Sequence, residues 1–498
     1  MRPSSRKDFL FRGLAPALLA LQLVAAPAPA AQQPAAATAT TQKPATATLT
    51  AAERAAIERV KLETVREVVT RLSSKEMEGR GTAQAGGERA AKYLADKFAA
   101  FGLKPLGDAG TYLQAVKFKA TEVQSETFLK AGDATLKHGS DFILPPPFTY
   151  EQADVTAPVV FIGYGVTSTE LKRDDLAGLD LKGKIVVMLS GRPRGVDEAA
   201  WAKASSPQAK VVGLFGRGIG GLLIAGVGSE KQPFSVIAKY LSRRQVSLAS
   251  DPEIPFKLPP TLLLSDAAME KLFAGSGATY AQTLAKAAGG EMVSRELGRE
   301  ATIHVRVKKE QGTGSNVVGL LEGSDPKLKE EAVVYTAHYD AYGIGADGTI
   351  YPGAADNALG ASMITAIAEA LSKTSPRPRR SVIFLAVTGE EYGLLGANHW
   401  VNNPTWPLAK VAANINHDSA GTEVYGPVKR LLGWGQEHSG LGPVFEEAVA
   451  ATGNIVTPDP LPEENVFLRS DHYEFVKKGV PALMLAGGPA GDPAVWIA

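Results

Sequence analysis

Five short patches of acids and histidines stand in the second half of this 498-residue chain, each just after an apolar run. A catalytic zinc takes imidazole nitrogens and carboxylate oxygens as ligands, and two ions about 3.5–4 Å apart can share one water molecule. The patches therefore predict the ligands, the base and the orienting carboxylate of a two-metal hydrolase. They are His338-Tyr339-Asp340, Asp356-Asn357, Glu390-Glu391, Asn416-His417-Asp418 and Ser470-Asp471-His472.

The number of donors in these patches suits a pair of ions. Two ions need a bridging carboxylate and further ligands for each, and two histidines with three carboxylates meet that need. One more carboxylate must stay unligated to take a proton from water, and the adjacent Glu390 and Glu391 offer it. Asp340, two residues after His338, can hydrogen-bond the far nitrogen of the ligating imidazole and fix its orientation.

An alternation of strands and helices after about residue 312 must position these side chains. Such an alternation predicts an α/β fold, a mostly parallel mixed sheet flanked by helices on both faces. Open α/β sheets place their sites at the carboxyl ends of the strands, so the patches should meet at one edge, with His472 brought there by a loop or helix start. Strands are predicted at 316–321, 332–336, 381–387, 411–415 and 480–485, and a helix at 358–371.

The segment 126–305 has a different character, with short β runs separated by turns. It is predicted to be a β-rich domain inserted into an α/β domain made of residues 51–125 and 306–498. The runs stand at 159–162, 184–189 and 220–225. Upstream, Thr50 and Glu53 form a capping box that starts a helix with apolar residues recurring as far as Leu72. The glycine-rich stretch 216–221 precedes a strand rather than opening a helix, so it does not predict a dinucleotide site.

The N-terminus predicts export to the periplasm or the medium. A basic start, an apolar run at 14–26 and the small residues Ala28 and Ala30 indicate a signal peptide over residues 1–30. The apolar run is too short for a stable membrane span. Residues 31–50 are rich in Ala, Pro and Thr and predict a disordered linker. The chain has no Cys, which excludes disulfides and thiolate metal sites and fits export.

The charge balance excludes some partners. With 53 basic and 52 acidic side chains, the net charge is +1. Nothing in this balance indicates nucleic acid or a membrane surface as a partner.

The order of the patches resembles that of the co-catalytic di-zinc exopeptidases, which include bacterial leucyl aminopeptidase, aminopeptidase Y and glutamate carboxypeptidase. The matching motifs are His-x-Asp, Asp-Asn, Glu-Glu-x-Gly-Leu-x-Gly, Asn-x-Asp and Ser-Asp-His-x-x-Phe. The resemblance covers about residues 50–125 and 305–490 and implies the zinc-exopeptidase fold, of the phosphorylase/hydrolase-like kind. The inserted segment is similar to the protease-associated domain that some members carry.

The resemblance implies a role for each site residue. Asp356 would bridge two zinc ions, His338 and Asp418 would complete one ion, and Glu391 and His472 the other. Glu390 would be the general base and Asp340 would orient His338. Other divalent metals could replace zinc. The implied activity is hydrolysis of a terminal peptide bond by a hydroxide between the ions, most simply on peptides or N-terminal aminoacyl substrates, as in an aminopeptidase.

Alternatives on the same scaffold stay open. Carboxypeptidases recognise the other end of the peptide, glutaminyl cyclases use one zinc, and receptors such as the transferrin receptor keep the fold with a degraded site. This chain has Leu359 and Ser419 where the family often has Ser and Met, which bears on specificity or packing. Family members usually continue beyond the point matching Ala498 with a loop that carries a transition-state-stabilising Tyr, so reduced activity is also an expectation.

Overall fold

The computed structural model describes residues 49–229, 232–345, 348–418, 428–460 and 462–489. The predicted signal peptide and all but the last two residues of the predicted linker lie outside these ranges. The chain divides into two compact units. The first unit holds residues 120–245 and 251–310. The second unit holds the described residues before 120, residues 246–250 and those from 311 onward.

The strands follow one another closely along the described chain. They are β1 (Lys104–Pro105), β2 (Leu113–Val123), β3 (Phe128–Ala131), β4 (Ala134–Lys137), β5 (Phe142–Ile143), β6 (Gln152–Phe161), β7 (Thr167–Ser168), β8 (Arg173–Asp174), β9 (Ile185–Leu189), β10 (Gly221–Ala225), β11 (Gln245–Leu248), β12 (Thr261–Leu264), β13 (Arg295–Leu321), β14 (Ala332–His338), β15 (Gly343–Ile344), β16 (Ile350–Tyr351), β17 (Ser381–Val387), β18 (Val411–His417), β19 (Val428–Trp434), β20 (Ile455–Val456) and β21 (Ala482–Pro489).

The α-helices of the described chain are mostly short. They are α1 (Ala51–Ile57), α2 (Leu62–Leu72), α3 (Ala85–Ala100), α4 (Glu198–Ala204), α5 (Pro207–Gly216), α6 (Phe234–Leu241), α7 (Asp266–Phe273), α8 (Tyr280–Ala288), α9 (Leu359–Ser372), α10 (Leu395–Asn402), α11 (Leu441–Ala451) and α12 (His472–Val476). No helix of the described residues is both long enough and apolar enough to cross a bilayer.

The sheet of the second unit is mixed and mostly parallel, in the order β1, β13, β17, β14, β18, β21, β19, β20. Strands β17, β14, β18 and β21 run parallel, whereas β13 and β19 pair antiparallel at the two sides. Every residue of β17 is buried, as expected for a central strand covered on both faces. This architecture confirms the predicted α/β fold.

Helices cover both faces of this sheet. Successive residues of a strand point to opposite faces, so β17 contributes to two separate cores. Phe384 packs with residues of α2, α3 and α9, including Leu72, Phe98 and Ile364. Leu385 packs on the other face with Trp400 of α10 and Phe475 of α12. This three-layer packing fixes the strand ends that carry the site.

Within the first unit, the strands pair in the order β4, β3, the 295–306 part of β13, β6, β9, β10, β12, β5. Strands β6, β9, β10 and β12 run parallel. The β runs predicted from the sequence correspond to β6, β9 and β10. The helices α4 to α8 were not predicted, although parallel neighbours need crossover connections, which are usually helical.

The N-terminal helix is shorter than its apolar pattern suggested. The capping box of Thr50 and Glu53 is present, but α1 ends at Ile57 and α2 starts anew at Leu62. Ile57 and Val60 are both exposed. The apolar residues across this break therefore do not form one buried face.

Candidate metal centre

Three ligand-bearing loops leave the sheet side by side. His338 is the last residue of β14 and pairs in register with Val387, at the end of β17. On the other side, Thr336 of β14 pairs with Asn416 near the end of β18. Because these strands are parallel, the loops carrying Asp340, Glu390 and Asp418 emerge at the same edge of the sheet.

The His338 side chain is the centre of this edge. It is fully buried, and its Nε2 has no hydrogen-bond partner among the residues that the structure describes. Nε2 lies 3.2 Å from Asp356 Oδ1, 3.4 Å from Asp418 Oδ1 and 3.8 Å from Glu390 Oε2. Ligand atoms of His338, Glu390 and Asp418 all lie within 4.8 Å of one another.

The carboxylates around His338 favour a positive charge at this position. Burial by itself lowers the pKa of this imidazole, but Glu390, Asp418, Asp340 and Asp356 together raise it well above 6.5. A proton on His338 thus compensates the surrounding carboxylates. A divalent ion bound to Nε2 would do the same with more charge, so these nitrogen and oxygen donors fit a divalent metal.

Asp340 contacts His338 and accepts hydrogen bonds from Thr82 and from the Glu390 backbone. His338 Nδ1 lies 3.3 Å from the Asp340 backbone oxygen and 3.7 Å from Oδ1. The carboxylate itself accepts hydrogen bonds from Thr82 Oγ1 at 2.9 Å and from the Glu390 backbone nitrogen at 3.2 Å. Because Asp340 is fully buried, these bonds restrict its position.

Asp356 is placed by a local arrangement at the start of α9. It lies in a π-helical turn, Ala354–Ala358, and its peptide bond to Asn357 is cis. Asn357 Nδ2 donates to the His417 carbonyl at 2.9 Å, and its Oδ1 accepts from the Gly360 nitrogen at 2.9 Å. Asn357 therefore accepts a hydrogen bond from the first turn of α9 and attaches this turn to the end of β18.

A chain of hydrogen bonds orients Asp418. Thr336 Oγ1 donates to Asn416 Oδ1 at 2.7 Å, and Asn416 Nδ2 donates to Ser470 Oγ at 2.8 Å. Ser470 Oγ in turn donates to Asp418 Oδ2 at 2.6 Å. This leaves Asp418 Oδ1 on the His338 side. Burial opposes ionisation of Asp418, yet His338 and Ser470 lower its pKa below 3.8.

Glu390 and Glu391 occupy a tight turn directly after β17. Burial and three nearby carboxylates raise the pKa of Glu390 well above 4.5, against the effect of His338. Burial also raises the pKa of Glu391 to about 7, partly offset by His338 and by a hydrogen bond from Tyr342. Both carboxyls therefore hold a proton more readily than an exposed glutamate does.

His472 is buried at the start of α12. Neither ring nitrogen has a hydrogen-bond partner among the described residues, and the ring packs 5.2 Å from that of Phe467. Burial lowers the pKa of this imidazole to about 4, so the ring is uncharged at neutral pH and one of its nitrogens carries no proton.

The structure brings most of the predicted site residues together around His338. Within the described ranges, no ion pair joins Glu391 or His472 to that group. The residues that meet are His338, Asp340, Asp356, Glu390 and Asp418.

Two further residues of the centre were not selected from the sequence. Asp471 is fully buried, neither of its carboxylate oxygens has a hydrogen-bond partner within the described ranges, and it interacts electrostatically with His338 and Asp418. It stands inside a patch chosen for His472, so the patch itself was the signal. Arg80 is fully buried and lies near Asp340, Glu391 and Asp356. It stands between two glycines far upstream, and the sequence offered no signal for it.

Comparison with known proteins confirms the resemblance for the second half of the chain. Residues 316–496 match the model of Peptidase family M28. The chain is 24% identical over 371 residues to a glutamate carboxypeptidase 2 homolog of Caenorhabditis briggsae, covering 67% of this chain and 46% of that protein. It is 33% identical over 135 residues to aminopeptidase YwaD of Bacillus subtilis, covering 27% of each. The chain thus spans about half or less of the curated relatives it matches.

Solved structures share the fold over most of the chain. An aminopeptidase from Aneurinibacillus sp. strain AM-1 superposes with a TM-score of 0.54 at 18% identity, covering 88% of this chain and 87% of that one. A zinc aminopeptidase from Bacillus subtilis, BSAP, superposes with a TM-score of 0.52 at 19% identity, covering 87% and 88%. These likenesses concern the fold.

Proposed function

We propose that this chain is a zinc-dependent exopeptidase of the M28 type, and specifically an aminopeptidase. The observation that carries the proposal is the Nε2 of buried His338, which has no hydrogen-bond partner in the described part of the chain and lies 3.2–3.8 Å from three carboxylate oxygens. This arrangement stands at the carboxyl edge of a parallel sheet, within the segment that matches the family model.

Two zinc ions would be held as the family resemblance implies. Asp356 would be shared, His338 and Asp418 would hold one ion, and Glu391 and His472 the other. The contacts of His338 with Asp356 and Asp418 support the first ion. The buried, uncharged imidazole of His472, which has one unprotonated nitrogen, supports its use as a ligand. The ions would supply Lewis-acid polarisation of the scissile carbonyl and of the attacking water.

Glu390 would carry the proton. One of its carboxylate oxygens accepts a proton as the water oxygen adds to the peptide carbonyl carbon, and then gives it to the leaving nitrogen as the C–N bond breaks. The products are a carboxylic acid and a free amine. Its burial and the nearby acids, which raise its pKa, suit a group that must hold a proton between these two events. Asp340 fixes the Glu390 backbone through the bond to its nitrogen.

The charges around the centre favour recognition of a free amine. A carboxypeptidase site needs a cation for the terminal carboxylate. Arg80 lies among the acids of the centre, but its guanidinium donates to four backbone carbonyls, which occupy every one of its nitrogens. Arg80 is therefore not available to bind a terminal carboxylate, which favours a substrate with a free amine, as in an aminopeptidase.

A substrate comparison tests this function. The purified chain, reconstituted with Zn²⁺, would be given aminoacyl-nitroanilides, their N-acetylated forms and N-blocked peptides with a free carboxyl end. We expect turnover of the free-amine substrates alone, lost with a chelator and regained with Zn²⁺. Release of the last residue from N-blocked peptides would instead indicate a carboxypeptidase. Cyclisation of N-terminal Gln with one zinc per chain would indicate a cyclase, and a chain that binds no metal would overturn the proposal.

We also propose the domain limits and the location given by the sequence. Residues 126–305 would be a protease-associated domain within a peptidase domain of residues 51–125 and 306–498, and the compact units support limits near these positions. The basic and apolar N-terminus supports export to the periplasm or the medium. N-terminal sequencing of protein from cell fractions should find a start just after Ala30 outside the cytoplasm. Intact protein confined to the cytoplasm would contradict export.

A further inference from the structure

Arg80 is a buried cation supplied to the metal centre by a distant part of the chain. It ends a short 3₁₀ segment, Lys75–Arg80, between α2 and α3. Its side chain is fully buried and its backbone φ is +50°. The ligand-bearing loops lie more than 250 residues later in the sequence.

The guanidinium of Arg80 donates to four backbone carbonyls. Nε donates to Tyr339 O at 2.5 Å, and Nη2 donates to Gly353 O at 2.8 Å. Nη1 donates to Leu72 O at 2.7 Å and to Pro352 O at 2.6 Å. A planar guanidinium presents its donors in a fixed fork, so these acceptors are held in one relative arrangement.

Those carbonyls belong to the two segments that carry metal ligands. Tyr339 lies between His338 and Asp340, and Gly353 lies three residues before Asp356. A single side chain therefore joins the end of β14 to the turn before α9. The 3.2 Å approach of His338 Nε2 and Asp356 Oδ1 spans the same two segments.

The residues around Arg80 reinforce this connection. Thr82 Oγ1 donates to Asp340, and Gly81 forms a parallel bridge with Ala341. A Cβ on Gly79 would lie 2.5 Å from the carbonyl oxygens of Gly343 and Tyr351. The segment 79–82 therefore lies directly against the loops behind the ligands.

The charge of Arg80 acts on the nearby acids without a hydrogen bond to their carboxylate oxygens. Burial lowers its pKa to about 10, and Asp340, Glu391 and Asp356 oppose that decrease. The guanidinium is therefore charged at neutral pH. The four hydrogen bonds of the guanidinium all go to backbone carbonyls. Its positive charge therefore offsets the repulsion among these acids, and their carboxylate oxygens remain available to bind a metal.

From these contacts we infer that Arg80 is a positioning residue that preorganises His338 and Asp356 for metal binding. The inference rests on the proposed metal site. It predicts that both the fork and the charge matter, since Lys supplies the charge but not the four-way geometry. The variant Arg80→Lys separates the two contributions.

The experiment compares Arg80→Lys with Arg173→Lys as a matched control. Arg173 is also buried and forms an ion pair, with Asp175 at 2.9 Å, but it belongs to the first unit. Metal content, Zn²⁺ affinity by calorimetric titration and the visible spectrum of bound Co²⁺ would be measured for each, beside thermal unfolding in a chelator. We expect Arg80→Lys to weaken metal affinity at least tenfold and to change the Co²⁺ spectrum. Arg173→Lys should lower stability and leave both metal readouts unchanged.

A second variant covers the case in which Arg80→Lys does not fold. Gly353 has φ +51°, and a Cβ there would lie 2.5 Å from Asp356 O, 2.6 Å from Ala341 Cβ and 2.7 Å from Arg80 Nη2. Gly353→Ala keeps Arg80 but displaces its guanidinium together with the Asp356 backbone, so metal affinity should fall. Wild-type affinity and spectrum in a folded Arg80→Lys or Gly353→Ala protein would overturn the inference. A wild-type chain that binds no metal would overturn the proposed function instead.

Discussion

At the scale of single residues, burial and nearby charges have opposite effects on the pKa of His338. Burial disfavours an imidazolium, yet the surrounding carboxylates stabilise it. The metal-free site is thus a proton-binding site. Any divalent ion must displace this proton, so metal binding and protonation are linked at this residue.

The variant Glu390→Gln tests the proton-transfer role. Gln keeps the shape of the side chain but cannot accept a proton, so kcat should fall by about 10²–10⁴-fold while both metals remain bound. Steady-state kinetics and metal analysis check this, with the exposed Glu447→Gln as the control. A wild-type kcat would remove Glu390 from the mechanism. Loss of a metal ion would instead make Glu390 a ligand, which its place in the 4.8 Å group allows.

The raised pKa of Glu391 predicts how stability depends on pH without metal. The folded pKa is about 7 and the reference value is 4.5, so the folded state binds more protons between these pH values. The stabilising effect of this proton is complete below pH 4.5 and is lost as pH rises through 7, a change of roughly 3 kcal/mol. Glu391→Gln should remove that part of the slope.

Urea unfolding in a chelator at several pH values measures how the stability of the wild type and of Glu391→Gln depends on pH. The wild-type free energy of unfolding should fall relative to that of Glu391→Gln as pH rises from 4.5 to 7. Glu447→Gln, at an exposed position of α11, should follow the wild type. Parallel curves for the wild type and Glu391→Gln would show that Glu391 is not protonated in the folded chain.

Residue types and spacing alone selected most of the residues that the structure brings together around His338. His338, Asp356, Glu390 and Asp418 each follow a strand or open a helix, so local patterns were enough. Arg80 could not be found in this way, because its acceptors Tyr339 and Gly353 are 259 and 273 residues away. Contacts between such distant segments depend on the tertiary fold, which local patterns do not contain.

At the scale of elements, the parallel register places the site. Strands β14, β17 and β18 end level with one another, so the loops after them bring the candidate ligands to the same edge. The close approach of α9 to β18 is equally important. Gly360 at the start of α9 faces the His417 carbonyl and the Asn357 side chain, and a Cβ there would approach both far closer than the 3.0 Å limit of real Cβ contacts.

Gly360→Ala should therefore disturb both Asp356 and Asp418. The added methyl must move α9 away from β18, which should cost about 1–3 kcal/mol of stability and weaken metal binding. Gly213→Ala in α5 is the control, since nothing lies within 4 Å of a Cβ there. It should be stabilising by about 0.5–1 kcal/mol, because Ala favours a helix. Denaturant unfolding and metal titration measure both effects, and a neutral Gly360→Ala would refute the close packing.

Long apolar runs were the easiest elements to predict. The predicted strand 381–387 coincides with β17, and the predicted helix 358–371 is α9 shifted by one residue. The helices of the first unit were missed because they are short. Helix α4 has seven residues and α6 has eight, so a repeat of apolar residues can extend over only about two helical turns.

At the scale of the whole molecule, the two units have separate hydrophobic cores. The metal-centre residues belong to the second unit. Ligand binding stabilises only the folded form that binds it, by about 2.7 kcal/mol at a ligand concentration of 100 Kd. Metal should therefore stabilise one unit directly.

Calorimetry should show whether metal stabilises one unit and not the other. We expect two unfolding transitions, of which only one moves to lower temperature when a chelator is added. Arg173→Lys should lower the other transition, since Arg173 and Asp175 lie in the first unit. A single transition that shifts as a whole under both changes would show that the units unfold together.

The long sequence separation between Arg80 and its acceptors also sets an order of events during synthesis. Tyr339 is 259 residues downstream. At about 5–20 residues per second, a ribosome makes it roughly 13 to 52 seconds after Arg80. During that interval Leu72 O is the one of its four carbonyl acceptors that has already been made, while the whole first unit is translated. The proposed metal centre is thus a late product of biogenesis, and a nascent chain cannot capture an ion in its finished geometry before the segment 338–356 has been made.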